Sequence, residues 1–396
     1  MKKQVKNNIY WVGKIDWELR EFHGADYSIH NGSSQNAYLV QEEKTFLVDT
    51  VWEPHKNEFL DNLKKEIDLK DLDFIVINHG EVDHSGALPA LLEEVPGLPI
   101  YCTQAAVKSL TGMYHHPEWN YNVVKTGDSI DIGNGKSLVF VEMKMLHWPD
   151  SMATFMTGDN VLFSNDAFGQ HYAVEELFND KADQCSMDEE ALKYYANILT
   201  PYSSFAKRKL KEIGDLNLTF DIIAPSHGAI WRDNPTQIIE KYIAWADAYK
   251  EDQITVIYDT MWDGTKKLAH KLAKEIREKS PDTVVKVYNI SLYDKNDIIT
   301  EVFKSKAIAV GSPTVGNALL SSVSGWLAFL HEMKFKDKKA GVFGCYGWSG
   351  EGNKKLREIL TNSGFEVVDE EVKSLYNPTD ELDGQIEALA ESLVKA

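Results

Sequence analysis

The chain has 396 residues, 43% of them hydrophobic, and a formal charge of −19. That is apolar material for two cores rather than one, and so acidic a surface excludes non-specific nucleic-acid binding, which needs cations to neutralise phosphates. No run approaches the roughly 18 consecutive apolar residues of a membrane span, and the basic start Lys2-Lys3-Gln4-Val5-Lys6 leads into Asn7-Asn8-Ile9-Tyr10-Trp11 instead of an apolar signal core, so the cytoplasm is the expected compartment.

Up to about residue 230 the chain reads as short strands in pairs. Residues 36–40 (NAYLV) and 45–50 (TFLVDT) flank the polar turn Gln41-Glu42-Glu43-Lys44, a hairpin signal. Helical spacing follows over Pro54–Ile67 and Ala87–Val95, with the apolar strand Phe74-Ile75-Val76-Ile77 between them. KSLVFVEMKML and MATFMTG flank Leu146 to Ser151, and the turn Gly158-Asp159-Asn160 leads into VLFSND. Helices are predicted over Glu189–Thr200 and Pro235–Tyr249. This is α+β grammar, sheets packed on each other with helices outside.

From Ile254 the grammar changes. ITVIYDT precedes a helix over Lys266–Lys279, AIAVGSPT precedes Ala318–Met333, and AGVFGCYGW precedes Asn353–Ser363. Short buried strands alternating with helices predict a doubly wound parallel sheet. The two domains are therefore expected at residues 1–250 and 251–396.

The first domain gathers potential metal ligands at its strand ends. Cys102, Cys185 and Cys345 are far apart with no CxxC spacing, which excludes an iron–sulfur cluster, a zinc ribbon or a disulfide framework. Any metal must then be held by nitrogen and oxygen. Asn78 to Gly86 (NHGEVDHSG) follows a buried strand and presents His79, Glu81, Asp83 and His84. Further strand ends deliver His147 in LHWPDS, Asp166 and His171 in FSNDAFGQH, and His227 in IIAPSHG. Seven of these, His79, Glu81, Asp83, His84, His147, Asp166 and His227, suffice for a dinuclear site with Asp166 as bridge.

The spacing HxExDH, with the later His, Asp and His, resembles the metallo-β-lactamase fold, whose hydrolases carry HxHxDH and bind zinc. Here Glu81 stands in the middle. Two divalent ions bring four positive charges and Glu81, Asp83 and Asp166 bring three negative ones, so one hydroxide makes the core neutral. A third carboxylate favours an oxidised pair of ions, and hard oxygen donors suit iron better than zinc.

The second domain carries three loops at strand ends, where ligands of doubly wound sheets bind. Thr260-Met261-Trp262-Asp263-Gly264-Thr265 opens a helix and offers an anion pocket for a phosphate. Ser312-Pro313-Thr314-Val315-Gly316-Asn317 and Cys345-Tyr346-Gly347-Trp348-Ser349-Gly350 complete the set, with Trp348 as a wall for a flat ring. These loops resemble those of flavodoxins, which cradle FMN.

Taken together, HxExDH, HWPDSM, SNDAFGQH, APSHGAIWR, DTMW, GSPT and YGWSGE resemble the flavodiiron proteins (A-type flavoproteins such as the rubredoxin:oxygen oxidoreductases) over essentially the whole chain. The resemblance implies a metallo-β-lactamase-like αββα sandwich followed by a flavodoxin-like α/β sheet, two iron ions and FMN, and reduction of dioxygen to water, nitric oxide to nitrous oxide, or both. It assigns His79, Glu81 and His147 to one iron, Asp83, His84 and His227 to the other, and Asp166 to both, with His171 and Tyr195 lining the substrate pocket. It also implies a head-to-tail homodimer or dimer of dimers, which brings one copy's FMN beside the other's irons. With no rubredoxin-like Cys-rich tail in the sequence, the rubredoxin-type electron donor is expected to be a separate protein.

One departure stands out: the family usually has Gly-Ser after DTMW, whereas Asp263-Gly264 stands here. A carboxylate beside a phosphate repels it unless it points to solvent. The basic run Lys334 to Lys339 (KFKDKK) reads either as a solvated helix end or as a dock for an acidic donor near the flavin. The rival functions are a zinc-dependent hydrolase with a flavodoxin-like module and a gas or redox sensor.

Overall fold

The computed structural model describes residues 2–215 and 218–396. They form two compact units, one running to Tyr194 and resuming over Tyr202–Ile243, the other comprising Tyr195–Pro201 and Ala244–Ala396. The division falls inside the helix Gln237–Trp245. Tyr195–Pro201, within the helix expected at 189–200 and just past it, groups with the second unit; the α-helix stops at Tyr194, where a π-helical turn, Tyr195–Leu199, takes over.

The first unit contains a seven-stranded sheet of β1 (Lys3–Lys6), β2 (Ile9–Trp11), β3 (Tyr38–Gln41), β4 (Thr45–Val48), β5 (Phe74–Val76), β6 (Ile100–Cys102) and β7 (Tyr121–Val123), neighbours in that order. A five-stranded sheet follows: β8 (Ser129–Gly133), β9 (Lys136–Glu142), β10 (Met152–Met156), β11 (Val161–Asn165) and β12 (Ile222–Pro225). The expected hairpin is β3–β4, antiparallel with Tyr38 opposite Val48.

Side chains alternate across a strand, so each strand serves two layers. Tyr38, Val40, Phe46, Val48, Phe74 and Val76 meet Leu138, Phe140, Met152, Phe163 and Ile222 of the second sheet. Leu39, Leu47, Ile75 and Ile77 point the other way, onto Phe59 and Leu63 of the helix Lys56–Glu66 and Leu88 and Leu91 of the helix Leu88–Glu94. Both faces of the first sheet are therefore buried, and each large apolar side chain removed from water contributes about 1.5–3 kcal/mol. This is the expected sandwich with helices outside.

The second unit is a five-stranded, wholly parallel sheet of β13 (Glu251–Tyr258), β14 (Val284–Asn289), β15 (Ser305–Gly311), β16 (Lys339–Tyr346) and β17 (Glu366–Leu375), in the order β14-β13-β15-β16-β17. That order is the flavodoxin-like one. Ile254, Val256 and Tyr258 pack on Leu268, Leu272 and Ile276 of the helix Gly264–Lys279 and on Ile386 and Leu389 of the helix Asp383–Val394. Strands β13, β15 and β16 are those that the unbroken apolar runs predict, but the sequence pattern is weaker elsewhere. It misses the edge strands β14 and β17, which are half exposed and mix charged with apolar residues. Among the described residues, no helix is long and apolar enough to cross a membrane.

Candidate metal centre and cofactor cleft

Four strand ends of the first unit converge. His79, Glu81, Asp83 and His84 follow β5, His147 follows β9, Asp166 follows β11 and His227 follows β12. All seven are buried. Their ligand atoms fall into two groups, His79, Glu81, His147 and Asp166 in one and Asp83, His84 and His227 in the other.

Asp166 joins the groups by dividing its two oxygens. Oδ2 lies 3.6 Å from His79 Nε2 and 3.4 Å from His147 Nε2, while Oδ1 lies 3.0 Å from His84 Nε2 and 3.4 Å from His227 Nε2. Glu81 Oε2 completes the first group at 3.2 Å from His79 Nε2, and Asp83 Oδ2 completes the second at 3.0 Å from His227 Nε2. The outward ring nitrogens are anchored elsewhere: His79 Nδ1 lies 3.1 Å from Asp150 Oδ1, and His227 Nδ1 2.7 Å from the Ser34 carbonyl. Each Nε2 is thereby left as a lone-pair donor toward the centre.

Donor chemistry and electrostatics both ask for cations. Both oxygens of Asp83 and of Asp166, and Nε2 of His84, are buried without a hydrogen-bond partner, a costly state unless an ion is bound. In the metal-free chain protons stand in. Burial disfavours charge on His147 and His227, yet the close carboxylates of Asp166, Glu81 and Asp83 outweigh it and raise them to about 9 and about 10. Glu81 and Asp166 fall well below the usual carboxylate range against the same burial penalty, through the surrounding histidines. The residues present fit a pair of ions held by nitrogen and oxygen.

His171 lies beside the second ligand group, its ring 4.9 Å from His227 and its Nδ1 2.8 Å from Ser33 Oγ. Burial, then the neighbouring His227 and His23, hold it well below the ordinary histidine value, so it is neutral. Tyr195 requires a correction. It belongs to the second unit, where its ring packs 5.5 Å from Trp245 and 5.7 Å from Phe303. Its neighbour Tyr194 is the one beside His171, with ring centroids 5.2 Å apart. Burial, followed by the charges of Asp166, Asp83 and Glu81, raises its phenol well above the ordinary value. A helix turns by about 100° per residue, so the two adjacent tyrosines point to different neighbours, and the family resemblance assigned the pocket position to Tyr195. His23, 3.2 Å from Glu81 Oε1, was not expected, because the strand before it, Glu21–Phe22, is two residues long and leaves no apolar run in the sequence.

In the second unit the three loops enclose a cavity of about 540 Å³ at the carboxyl end of the sheet. Thr260, Met261, Trp262, Gly264, Thr265, Pro313, Thr314, Val315, Gly316, Cys345, Tyr346, Gly347 and Trp348 line it, as do Tyr376 and Asn377 after β17. The last two were missed with their strand. Thr260 Oγ1 and Thr265 Oγ1 are buried without a partner at the start of the helix Gly264–Lys279, where an anion is best received. Trp262 and Trp348 stand 86% and 85% exposed at the rim, as open ring walls for a planar ligand. A phosphate-bearing flat cofactor fits.

Ser312, Asn317, Ser349, Gly350 and Asp263 do not line the cavity. The Ser312 hydroxyl accepts from Leu320 N–H at 3.1 Å, and the Ser349 hydroxyl donates to Asn317 Oδ1 at 3.1 Å, so these residues brace the loops. Gly350 has φ +75°, and a Cβ there would meet Lys373 Cε at 2.6 Å. Asp263 adopts φ +60° and its side chain is 65% exposed, so its carboxylate points to solvent near Lys266. The basic run at Lys334–Lys339 enters the amino end of β16, opposite the cleft, and Lys338 is buried. It does not border the cofactor site.

Residues 33–228 match the model for the ODP family beta lactamase, and residues 256–390 match that for flavodoxin. The anaerobic nitric oxide reductase flavorubredoxin of Vibrio vulnificus is 55% identical over 367 residues, 93% of this chain and 74% of that protein. The chain belongs to the flavodiiron protein family. Among solved structures, this flavodiiron chain resembles the rubredoxin oxygen:oxidoreductase of Desulfovibrio gigas with a TM-score of 0.96 and 35% identity, covering 100% of this chain and 98% of that one. The flavodiiron protein of Giardia intestinalis follows with a TM-score of 0.94 and 28% identity, covering 100% and 96%.

Proposed function

We infer that this flavodiiron chain is an oxidoreductase that reduces nitric oxide to nitrous oxide, dioxygen to water, or both, with two iron ions and FMN as cofactors. The observation that carries the reading is the Asp166 carboxylate, which turns one oxygen to each of two nitrogen and oxygen ligand groups. His79, Glu81 and His147 would hold one ion, Asp83, His84 and His227 the other, and Asp166 both. Three carboxylates favour iron over zinc, which speaks against a hydrolase. Bound there, the irons would supply open positions and electrons for a diatomic gas, and the Thr260–Thr265, Ser312–Asn317 and Cys345–Gly350 loops would hold FMN as the source that resupplies electrons.

The chain's own groups manage protons and water. Tyr194 keeps its phenolic proton at any working pH, because burial and three nearby carboxylates oppose ionisation. Its hydroxyl is therefore a hydrogen-bond donor to reduced oxygen or nitrogen. His171 is neutral, with Nε2 buried and without a partner. We assign it the role of hydrogen-bond partner to substrate. Phe22, 4.7 Å from His171 and 5.8 Å from His227, helps to exclude bulk water.

Electrons are proposed to come from a rubredoxin-type protein, as the name of the Desulfovibrio gigas relative suggests. We place the protein in the cytoplasm, where the free thiols Cys102, Cys185 and Cys345 suit a reducing compartment. We also propose a head-to-tail homodimer, or a pair of them, that sets one copy's FMN against another's irons. Metal and flavin analysis, followed by nitric oxide and oxygen consumption by the rubredoxin-reduced protein, tests the whole reading. Iron, FMN and gas-dependent turnover are expected; zinc with ester or lactam hydrolysis would overturn it.

A further inference from the structure

The two ligand groups are anchored by different chemistry. Asp150, 1% exposed, turns Oδ1 to His79 Nδ1 at 3.1 Å and accepts the Gly80 N–H on Oδ2 at 3.0 Å. Its own carbonyl accepts from the Thr103 hydroxyl at 3.1 Å, so the carboxylate is held from both ends. Gly80 is what admits it: a Cβ there would lie 2.8 Å from Asp150 Oδ2 and 2.9 Å from Ser109 Cβ. In the other group the matching nitrogen, His227 Nδ1, meets the uncharged Ser34 carbonyl. Asp49, the other buried carboxylate close by, accepts from the Asn78 backbone rather than from a ligand ring.

A carbonyl and a carboxylate both fix the imidazole tautomer. Only the carboxylate adds charge, which makes the ring a more basic donor to its metal. We propose that Asp150 is a positioning residue for His79 and makes the ion held by His79, Glu81 and His147 the tighter bound of the two. The proposal rests on the dinuclear reading above.

Chelator-treated full-length protein titrated with cobalt(II), followed by visible absorption and metal counting, tests it. Two ions with distinct affinities are expected, with His147→Ala abolishing the tighter and His227→Ala the weaker. Asp150→Asn should weaken the tighter ion by roughly 10–100-fold and leave the weaker unchanged. Gly80→Ala, which displaces the same carboxylate, should do likewise, and it decides the matter if Asp150→Asn loses its native circular dichroism. Equal weakening of both ions, or none, would overturn the role of Asp150. Uptake of fewer than two ions by the unaltered chain would instead bring down the dinuclear reading, and this inference with it.

Discussion

Two adjacent tyrosines have different neighbours. Tyr194 faces His171, and Tyr195 packs on Trp245 and Phe303. Tyr194→Phe and His171→Phe are expected to slow nitric oxide or oxygen reduction by about 10²-fold, as for loss of a donor to a reacting group, with iron content unchanged. Tyr195→Phe should leave turnover within about twofold. Steady-state gas consumption on iron-loaded variants checks the split, and loss of turnover in Tyr195→Phe alone would reverse it. The clustering of the seven candidate ligands was legible in the sequence because each follows a strand end, where position along the chain fixes position in space. The tyrosine was not, because two identical residues stand side by side and nothing in the sequence says which of them turns toward His171. Asp263 makes a second residue-scale case. Its left-handed backbone costs about 1 kcal/mol relative to glycine, and its exposed carboxylate repels a phosphate weakly. Asp263→Gly should tighten FMN about two- to fivefold in fluorescence titrations, with a gain that shrinks as salt rises.

Among the elements, the basic run shows how a charge pattern misleads. Lys338 is buried at the amino end of β16, where burial lowers it to about 7 and its side-chain nitrogen donates to the carbonyls of Tyr249, Phe303 and Ser305 at 2.8, 2.8 and 2.6 Å. It ties the chain entering β13 to the end of the helix Lys295–Lys304 and the start of β15. Lys338→Met leaves three carbonyls without that donor and should cost about 1–3 kcal/mol in denaturant unfolding, with no change in the donor's Michaelis constant. A raised Michaelis constant at unchanged stability would restore the docking reading. Burial was invisible in KFKDKK, since four lysines in six residues read as a solvated face. The central strands β13, β15 and β16 were legible as unbroken apolar runs, whereas β14 and β17, at the sheet's edges, carry no such run.

For the whole molecule, protons and metal ions compete for one buried anionic centre. His147 and His227 are raised in the metal-free chain to about 9 and about 10, above the ordinary value of 6.5. A raised folded-state value stabilises the chain below the unfolded value, and that stabilisation is lost as pH rises through the folded one. The melting temperature of chelator-treated protein should therefore fall between pH 7 and about 10. Iron-loaded protein should not share that fall, because the ions replace the protons and release them on binding. Parallel melting curves of the two forms across this range would count against the linkage.

One experiment reaches the centre of the account. Protein carrying iron and FMN is reduced anaerobically, mixed with nitric oxide or dioxygen, and followed at the visible band of oxidised flavin. The expected result is flavin reoxidation by at least one gas that is lost when zinc replaces iron. Reoxidation at the same rate with zinc in the centre, or none by either gas with both cofactors bound, would contradict the assignment of the Asp166-bridged centre as the site of gas reduction.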